Sequence, residues 1–211
     1  VSAQGHVHNR TKGRVGQYAV TEVPVTTTDQ LEESYPAPNQ GALDKELHRL
    51  DRHCQEFIAR SPMALLATSA ADGTCDVSPR GGAPGFVSIL DERHLSIPDA
   101  RGNRRLDSFH NVLENAHAGL LFLIPGMGET LRVNGACSIV RDGDAVSLVV
   151  EADQVFLHCA KALIRSRLWD PATWPGPDER PSAAEIFGDH MQGLGSDGAA
   201  EMLEESYTHR L

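Results

Sequence analysis

Leu43, Leu47, Leu50, Cys54 and Phe57 recur at steps of four, three, four and three, with Ile58 beside the last. That spacing predicts a helix over about 42–59 with one apolar face, ended by Ser61-Pro62. The period then changes. Met63–Ser69 is a short, nearly continuous apolar run, Asp72-Gly73 a hairpin signal, and Cys75–Ser78 the returning strand. Phe86–Leu90 and His94–Ile97 read as a second strand pair. Asn103–Asn115 returns to helical spacing, with Leu106, Phe109, Val112 and Leu113 on one face. Ala118–Ile124 and Thr130–Val140 read as strands around a Pro125-Gly126-Met127-Gly128 turn, and Val146–Val150 with Gln154–His158 as one or two more. Short helices are expected over 160–168, 182–191 and 198–208, with an irregular Pro-rich stretch over 171–181.

Tight turns between the strands make them mostly antiparallel, and six or seven short strands suit a small barrel better than a doubly wound sheet. The class is mainly β with flanking helices (α+β). Residues 1–40 read as an N-terminal arm, 41–170 as the barrel domain and 171–211 as a helical extension. No P-loop, H-E-x-x-H or G-x-S-x-G pattern occurs, so no metal site is expected.

Composition narrows the partners. Nineteen Lys and Arg against 29 Asp and Glu give a charge of −10 over 211 residues. That balance disfavours a general nucleic-acid binder and docking on anionic lipid. No apolar run reaches a membrane span, no secretory signal is visible, and Cys54, Cys75, Cys137 and Cys159 form no C-x-x-C, all of which fits a cytoplasmic protein.

Against that negative background, cations gather in a few places. Arg101-Gly102-Asn103-Arg104-Arg105 lies between a strand and a helix. Asn103 as N-cap, free backbone N–H groups and Arg104 with Arg105 would cradle a phosphate. The other reading pairs these arginines with Asp99, Asp107 or Glu114. Ser78 and Arg80 alternate on one side of a strand and could reach a flat polar ring or a phosphate. Thr130, Arg132 and Asn134 share a strand face, either solvated or lining a groove. Trp169 and Trp174 are conspicuous in a chain with 5% aromatics, as cover for a planar ligand or as plain packing. His158-Cys159 is a poor nucleophile pair, because strand neighbours point to opposite faces.

Together D-V-S-P-R-G, I-P-D, G-N-R-R-L-D-S, A-G-L-L-F-L-I-P-G, G-E-T-L-R-V-N-G and H-C-A-K-A resemble the pyridoxamine 5′-phosphate oxidase-like, FMN-binding split-barrel superfamily over about residues 43–170. The resemblance implies a homodimer with FMN at the subunit interface. It places the phosphate on Gly102, Asn103, Arg104 and Arg105. It lays the flavin against the backbone of Ile97, Pro98 and Asp99, with Ser78 and Arg80 on the first basic strand. Thr130 and Arg132 would touch the ring, while Trp169 and Lys161 would reach it from the partner chain. The activity implied is FMN-dependent electron transfer with a small organic substrate, NADH or NADPH being a natural donor. The alternatives are a flavin-binding module without turnover and a deazaflavin (F420) reductase. The family's terminal Arg-Leu-x-Pro is replaced by His209-Arg210-Leu211, which counts against vitamin B6 oxidation. The link between Val140 and Val146 is also shorter than the resemblance leads one to expect. On this reading Arg80, Arg101, Arg104, Arg105 and Arg132 converge on one anionic cofactor.

Overall fold

The computed structural model describes residues 24–100, 102 and 105–209. The chain divides into two compact units, Val1–Asn39 and Gln40–Leu211. Among the described residues of the first, the short helix α1 (Thr28–Glu32) is capped by Thr27, whose hydroxyl accepts from the Gln30 N–H.

The second unit is a mixed α+β fold built on one seven-stranded antiparallel sheet. Its strands are β1 (Met63–Ser69), β2 (Cys75–Gly81), β3 (Ser88–Ile89), β4 (His94–Pro98), β5 (His117–Leu123), β6 (Thr130–Asp142) and β7 (Ala145–His158). Their order is β2-β1-β5-β6-β7-β4-β3. Helices α2 (Gln40–Leu43) and α3 (Arg52–Arg60) precede the sheet, and α4 (Asp107–Glu114) is inserted between β4 and β5. Helices α5 (Lys161–Ser166), α6 (Ala183–His190) and α7 (Gly195–His209) follow it. No described helix is long and apolar enough to cross a membrane.

Alternation along the strands decides the two faces. Ala64, Leu66, Leu95, Ile97, Leu120, Phe122, Leu131, Val133, Leu148 and Val150 are all buried and form the interior. Phe57 and Ile58 of α3 and Phe109 and Val112 of α4 close the same core. Burying each such side chain contributes about 1.5–3 kcal/mol.

Two helix boundaries differ from the sequence expectation. The helix expected over 42–59 is split. Leu47 instead exchanges two backbone hydrogen bonds with Val155 of β7, and the Leu50 N–H donates to the Glu92 carbonyl. Asp51 restarts the helix by accepting from the Cys54 N–H, which holds its carboxyl below the usual range. Leu47 and Leu50 therefore serve an extended segment, although their spacing mimics a helix.

The helix expected from Asn103 begins at Asp107. Leu106 occupies the cap with a left-handed φ of 59° and no side-chain cap bond. Leu113 and Leu106 lie exposed, and the buried face carries Ser108 and Asn111 beside Phe109 and Val112.

The stretch expected to hold one or two further strands is a single strand, β7, which pairs with β6 along its length. A bulge at Asn134/Gly135 passes over Asp153 and lets the ladder continue. A Cβ at Gly135 would run into the Glu151 carbonyl, so the bulge demands glycine. The short 140–146 link is a tight hairpin whose loop, Gly143-Asp144, uses φ +57° at the glycine.

Candidate functional site

Strand register sorts the candidate residues into two sets. Arg80 lies in a row with Ala64, Phe122 and then Leu131, and Ser78 in a row with Leu66, Leu120 and then Val133. Those partners are all interior, so Ser78 and Arg80 point into the barrel, with Asp76 one step further on the same side. Arg132 lies in a row with Leu121, Leu65 and then Pro79, on the opposite face.

The interior set comes together where the sheet curls on itself. Arg80 Nη1 lies 3.6 Å from an oxygen of Asp99, which immediately follows β4. The Arg80 side chain is only 18% exposed. Its Nε–H is buried with no hydrogen-bond partner among the described residues. A buried orphan donor costs about 1–3 kcal/mol unless something accepts from it. Ile97 sends its side chain into the core. Pro98 has no N–H, and the Asp99 N–H donates to the Val146 carbonyl. Only carbonyl oxygens and the Asp99 carboxylate therefore remain to meet a ligand at Pro98 and Asp99.

The arginine-rich turn follows directly. Arg101, Asn103 and Arg104 lie outside the described residues. Because α4 starts at Asp107, its N-cap is Leu106 and the expectation of Asn103 in that role is corrected. Arg105 is 72% exposed, and its Nε–H donates to Asp107 at 2.7 Å. That bond, and a smaller pull from Asp76, raise the Arg105 pKa. The Asp107 pairing that competed with phosphate binding is thus present at Arg105.

The exterior set is organised by β6 and β7. Thr130 is buried at the start of β6, opposite His158. Arg132 stacks over the Phe156 ring at 5.4 Å, and its Nη2 donates to Gln154 Oε1 at 3.1 Å. The same oxygen accepts from Asn134 at 2.8 Å, while the Gln154 amide donates to Glu46 at 2.6 Å. The Arg132 Nε–H, like that of Arg80, is buried without a partner among the described residues. Burial, and then the charge of Arg132, lower the His158 pKa. Leu65, Leu121 and Leu123 lie half-buried on this face, with Val77 and Pro79 exposed.

Lys161 is exposed at the start of α5. Trp169 donates its indole N–H to the Met127 carbonyl of the same chain at 2.8 Å. It lines a cleft of about 390 Å³ with Gly126, Gly128, Ala160, Ile164 and Arg167. Within one chain, then, Arg80 and Asp99 come together with Ser78 on the same face of β2, and Arg132 faces away from them. Convergence of Arg80 and Arg132 on one ligand needs a second chain.

Two polar residues escape a reading of local pattern. Asn111 sits on the buried side of α4 and donates to Thr68 Oγ1 at 3.0 Å and Asp76 Oδ2 at 2.8 Å. Gln154 orients Arg132. The only local signal was an Asn at a core position of a helix and a Gln opposite a polar strand row. Among the described residues no group of three or more His, Cys, Asp or Glu could hold a metal ion.

The frame of the candidate site is thus a seven-stranded antiparallel sheet in which the Arg80 and Arg132 Nε–H groups are buried with no acceptor among the described residues. The family profile described as pyridoxamine 5′-phosphate oxidase matches residues 50–159, and the chain belongs to that family. No curated protein matches. Among solved structures, HupZ of Group A Streptococcus is similar, with 14% identity, 51% of this chain and 92% of that chain covered, and a TM-score of 0.41. An F420 reductase gives 20% identity, 46% and 91% coverage and a TM-score of 0.36. HutZ, the heme storage protein of Vibrio cholerae, gives 13% identity, 52% and 94% coverage and a TM-score of 0.38. At these scores the structural likenesses carry no weight for function.

Proposed function

We propose that this chain is an FMN-dependent oxidoreductase that works as a homodimer, with each FMN held between an interior set from one chain and an exterior set from the other. The observation that carries the reading is the pair of orphaned arginine N–H groups. Of the buried side-chain polar atoms without a partner among the described residues, two are Arg80 Nε and Arg132 Nε, on opposite faces of the sheet. A ligand rich in acceptors that bridges two chains relieves both. FMN fits, with its phosphate, its pyrimidine carbonyls and its flat apolar rings. The half-buried Leu65, Leu121 and Leu123 on the outer face suit cover by a second copy.

In this reading Arg80 and Ser78 donate to the cofactor from inside the barrel, and Asp99 holds Arg80 in place. Arg105, with Asn103 and Arg104, meets the phosphate. Arg132 is aimed by Gln154 and Phe156 and, with Thr130, meets the ring from the other chain, joined by Lys161 and Trp169. FMN, when bound, supplies two-electron redox chemistry at N5, while the protein positions it and excludes water.

The test is a visible spectrum of the purified chain reconstituted with FMN, followed by anaerobic addition of NADH or NADPH and then air. The reading expects one FMN per chain, bleached by a donor and restored by air. A chain that takes up no flavin overturns the reading. Flavin that binds and never bleaches with any donor makes the chain a flavin-binding module.

A further inference from the structure

We propose that Gln154 is a positioning residue that works as a neutral spacer: it pins Arg132 and keeps the Glu46 carboxylate one amide away, so that the guanidinium charge is left for the ligand. The inference rests on the FMN reading, in which Arg132 meets the flavin ring, and explains why an amide and not an acid holds that arginine. Among the described residues the half-buried arginines are Arg80 and Arg132. Arg80 pairs with Asp99. Arg132 has no carboxylate within ion-pair distance among the described residues; it is held by the Gln154 oxygen at 3.1 Å and the Phe156 ring. Its neighbours across the strands are Leu121 and Phe156, and the rows to either side hold Asn134 with Gln154 and Thr130 with His158. None of these is acidic. A cation drawn half out of water without a counter-charge is costly, and a ligand with electron-rich oxygens and nitrogens supplies one.

The acid at the far end of the hydrogen-bond chain is Glu46. Leu47 exchanges two backbone bonds with Val155, and this bridge holds Glu46 beside Gln154. Gln154 Nε2 donates to the Glu46 carboxylate at 2.6 Å, while Gln154 Oε1 accepts from Arg132 and from Asn134 at 2.8 Å. These partners fix which way the amide faces. Arginine only donates and a carboxylate only accepts, so a flipped amide would set N–H against N–H at Arg132 and oxygen against oxygen at Glu46. A glutamate in place of Gln154 could accept from Arg132 in the same geometry, but it would cancel the charge. The amide gives the hold without the cancellation. The cation is felt on this face: burial first, and then the Arg132 charge, lower the His158 pKa.

The test exchanges the two residues in the full chain. Glu46→Gln combined with Gln154→Glu keeps the net charge and lets the same side chains hydrogen-bond, the amide now donating from position 46, but it moves the carboxylate against Arg132. Quenching of flavin fluorescence gives the FMN affinity, and a redox titration gives the midpoint potential of bound FMN. The double variant is expected to bind FMN about tenfold more weakly. Its midpoint potential is expected to fall, because reduced FMN carries more negative charge than oxidised FMN and loses more when the cation is cancelled. A merely structural role for Gln154 leaves the potential at the wild-type value, so an unchanged or raised potential overturns the inference, whatever the affinity. If the double variant does not fold, Glu46→Gln alone decides. It removes the carboxylate and leaves an acceptor for Gln154, so FMN binding within about threefold of wild type, or tighter, supports the inference, and weaker binding overturns it. Wild-type protein that binds FMN beside a double variant of unchanged potential overturns this inference alone. Wild-type protein that binds no FMN overturns the FMN reading with it.

Discussion

Arg80→Met separates a ligand-binding arginine from a structural one. The substitution keeps an unbranched stem out to about the position of Nε and removes the guanidinium with its charge and donors. Two effects on the ligand-free protein oppose each other. The contact with Asp99 is lost, but it is long at 3.6 Å and Asp99 is 38% exposed, so its carboxylate relaxes into water. A pair of that kind is worth at most about 1 kcal/mol. In return, the buried Nε–H that no described residue accepts from is gone, relieving about 1–3 kcal/mol of desolvation. Packing is kept, because Ala64 opposite Arg80 leaves room for an unbranched apolar chain. The balance predicts a ligand-free variant as stable as wild type or slightly more stable. FMN affinity should fall about 10- to 150-fold, the equivalent of one charge-assisted hydrogen bond at ~1.5–3 kcal/mol. Urea unfolding and FMN fluorescence titration measure the two quantities on the same preparations. A variant destabilised by more than about 2 kcal/mol that binds FMN as wild type does would make Arg80 a closure residue of the barrel and refute the reasoning.

Three further outcomes follow from the fold. Gly135→Ala should destabilise the protein by about 3 kcal/mol or more, read by urea unfolding, because its Cβ meets the Glu151 carbonyl at the bulge. Asp51→Ala should cost about 1 kcal/mol near neutral pH through loss of the α3 cap. The Asp51 carboxyl is held below its ordinary value in the folded chain, so its contribution is present above the unfolded carboxylate pKa and fades as pH falls through the folded one. Wild type and Asp51→Ala should therefore converge in stability as the pH drops below about 4. Burial pushes the thiol of Cys54 up to about 12 and that of Cys137 up to about 11, while Cys75 and Cys159 are exposed. A thiol-exchange reagent near pH 8 should titrate Cys75 and Cys159 quickly and the buried pair only on unfolding; fast reaction of all four would contradict the described core.

The strand rhythm was legible because it is local. Asp72-Gly73 and Gly126 mark turns by their own chemistry, and both glycines take positive φ. Helix limits were less legible, because Leu47 and Leu50 carry a helical spacing for a segment that pairs with β7 and β3–β4 neighbours instead. The true start of α3 is written in Asp51, a cap residue that the apolar period overran. At α4 the expected apolar face included Leu106 and Leu113, yet the helix is anchored by Asn111, whose partners are 43 and 35 residues away. No local pattern carries such a bond. The candidate site shows the same limit. Alternation placed Ser78 with Arg80 and Thr130 with Arg132, but only the register through β1 and β5 shows that the two pairs face opposite sides. The family motifs named the residues, and the sheet divides them.

That division makes the two-chain site testable by mixing. Arg80→Met and Arg132→Met chains are prepared separately, each weak for FMN, then combined under conditions of subunit exchange and titrated. The account predicts that a mixed dimer regains one tight FMN site, built from the intact Arg80 of one chain and the intact Arg132 of the other, with its second site doubly impaired. Mixtures that bind FMN no better than the separate variants, while subunit exchange is shown to occur, would contradict it.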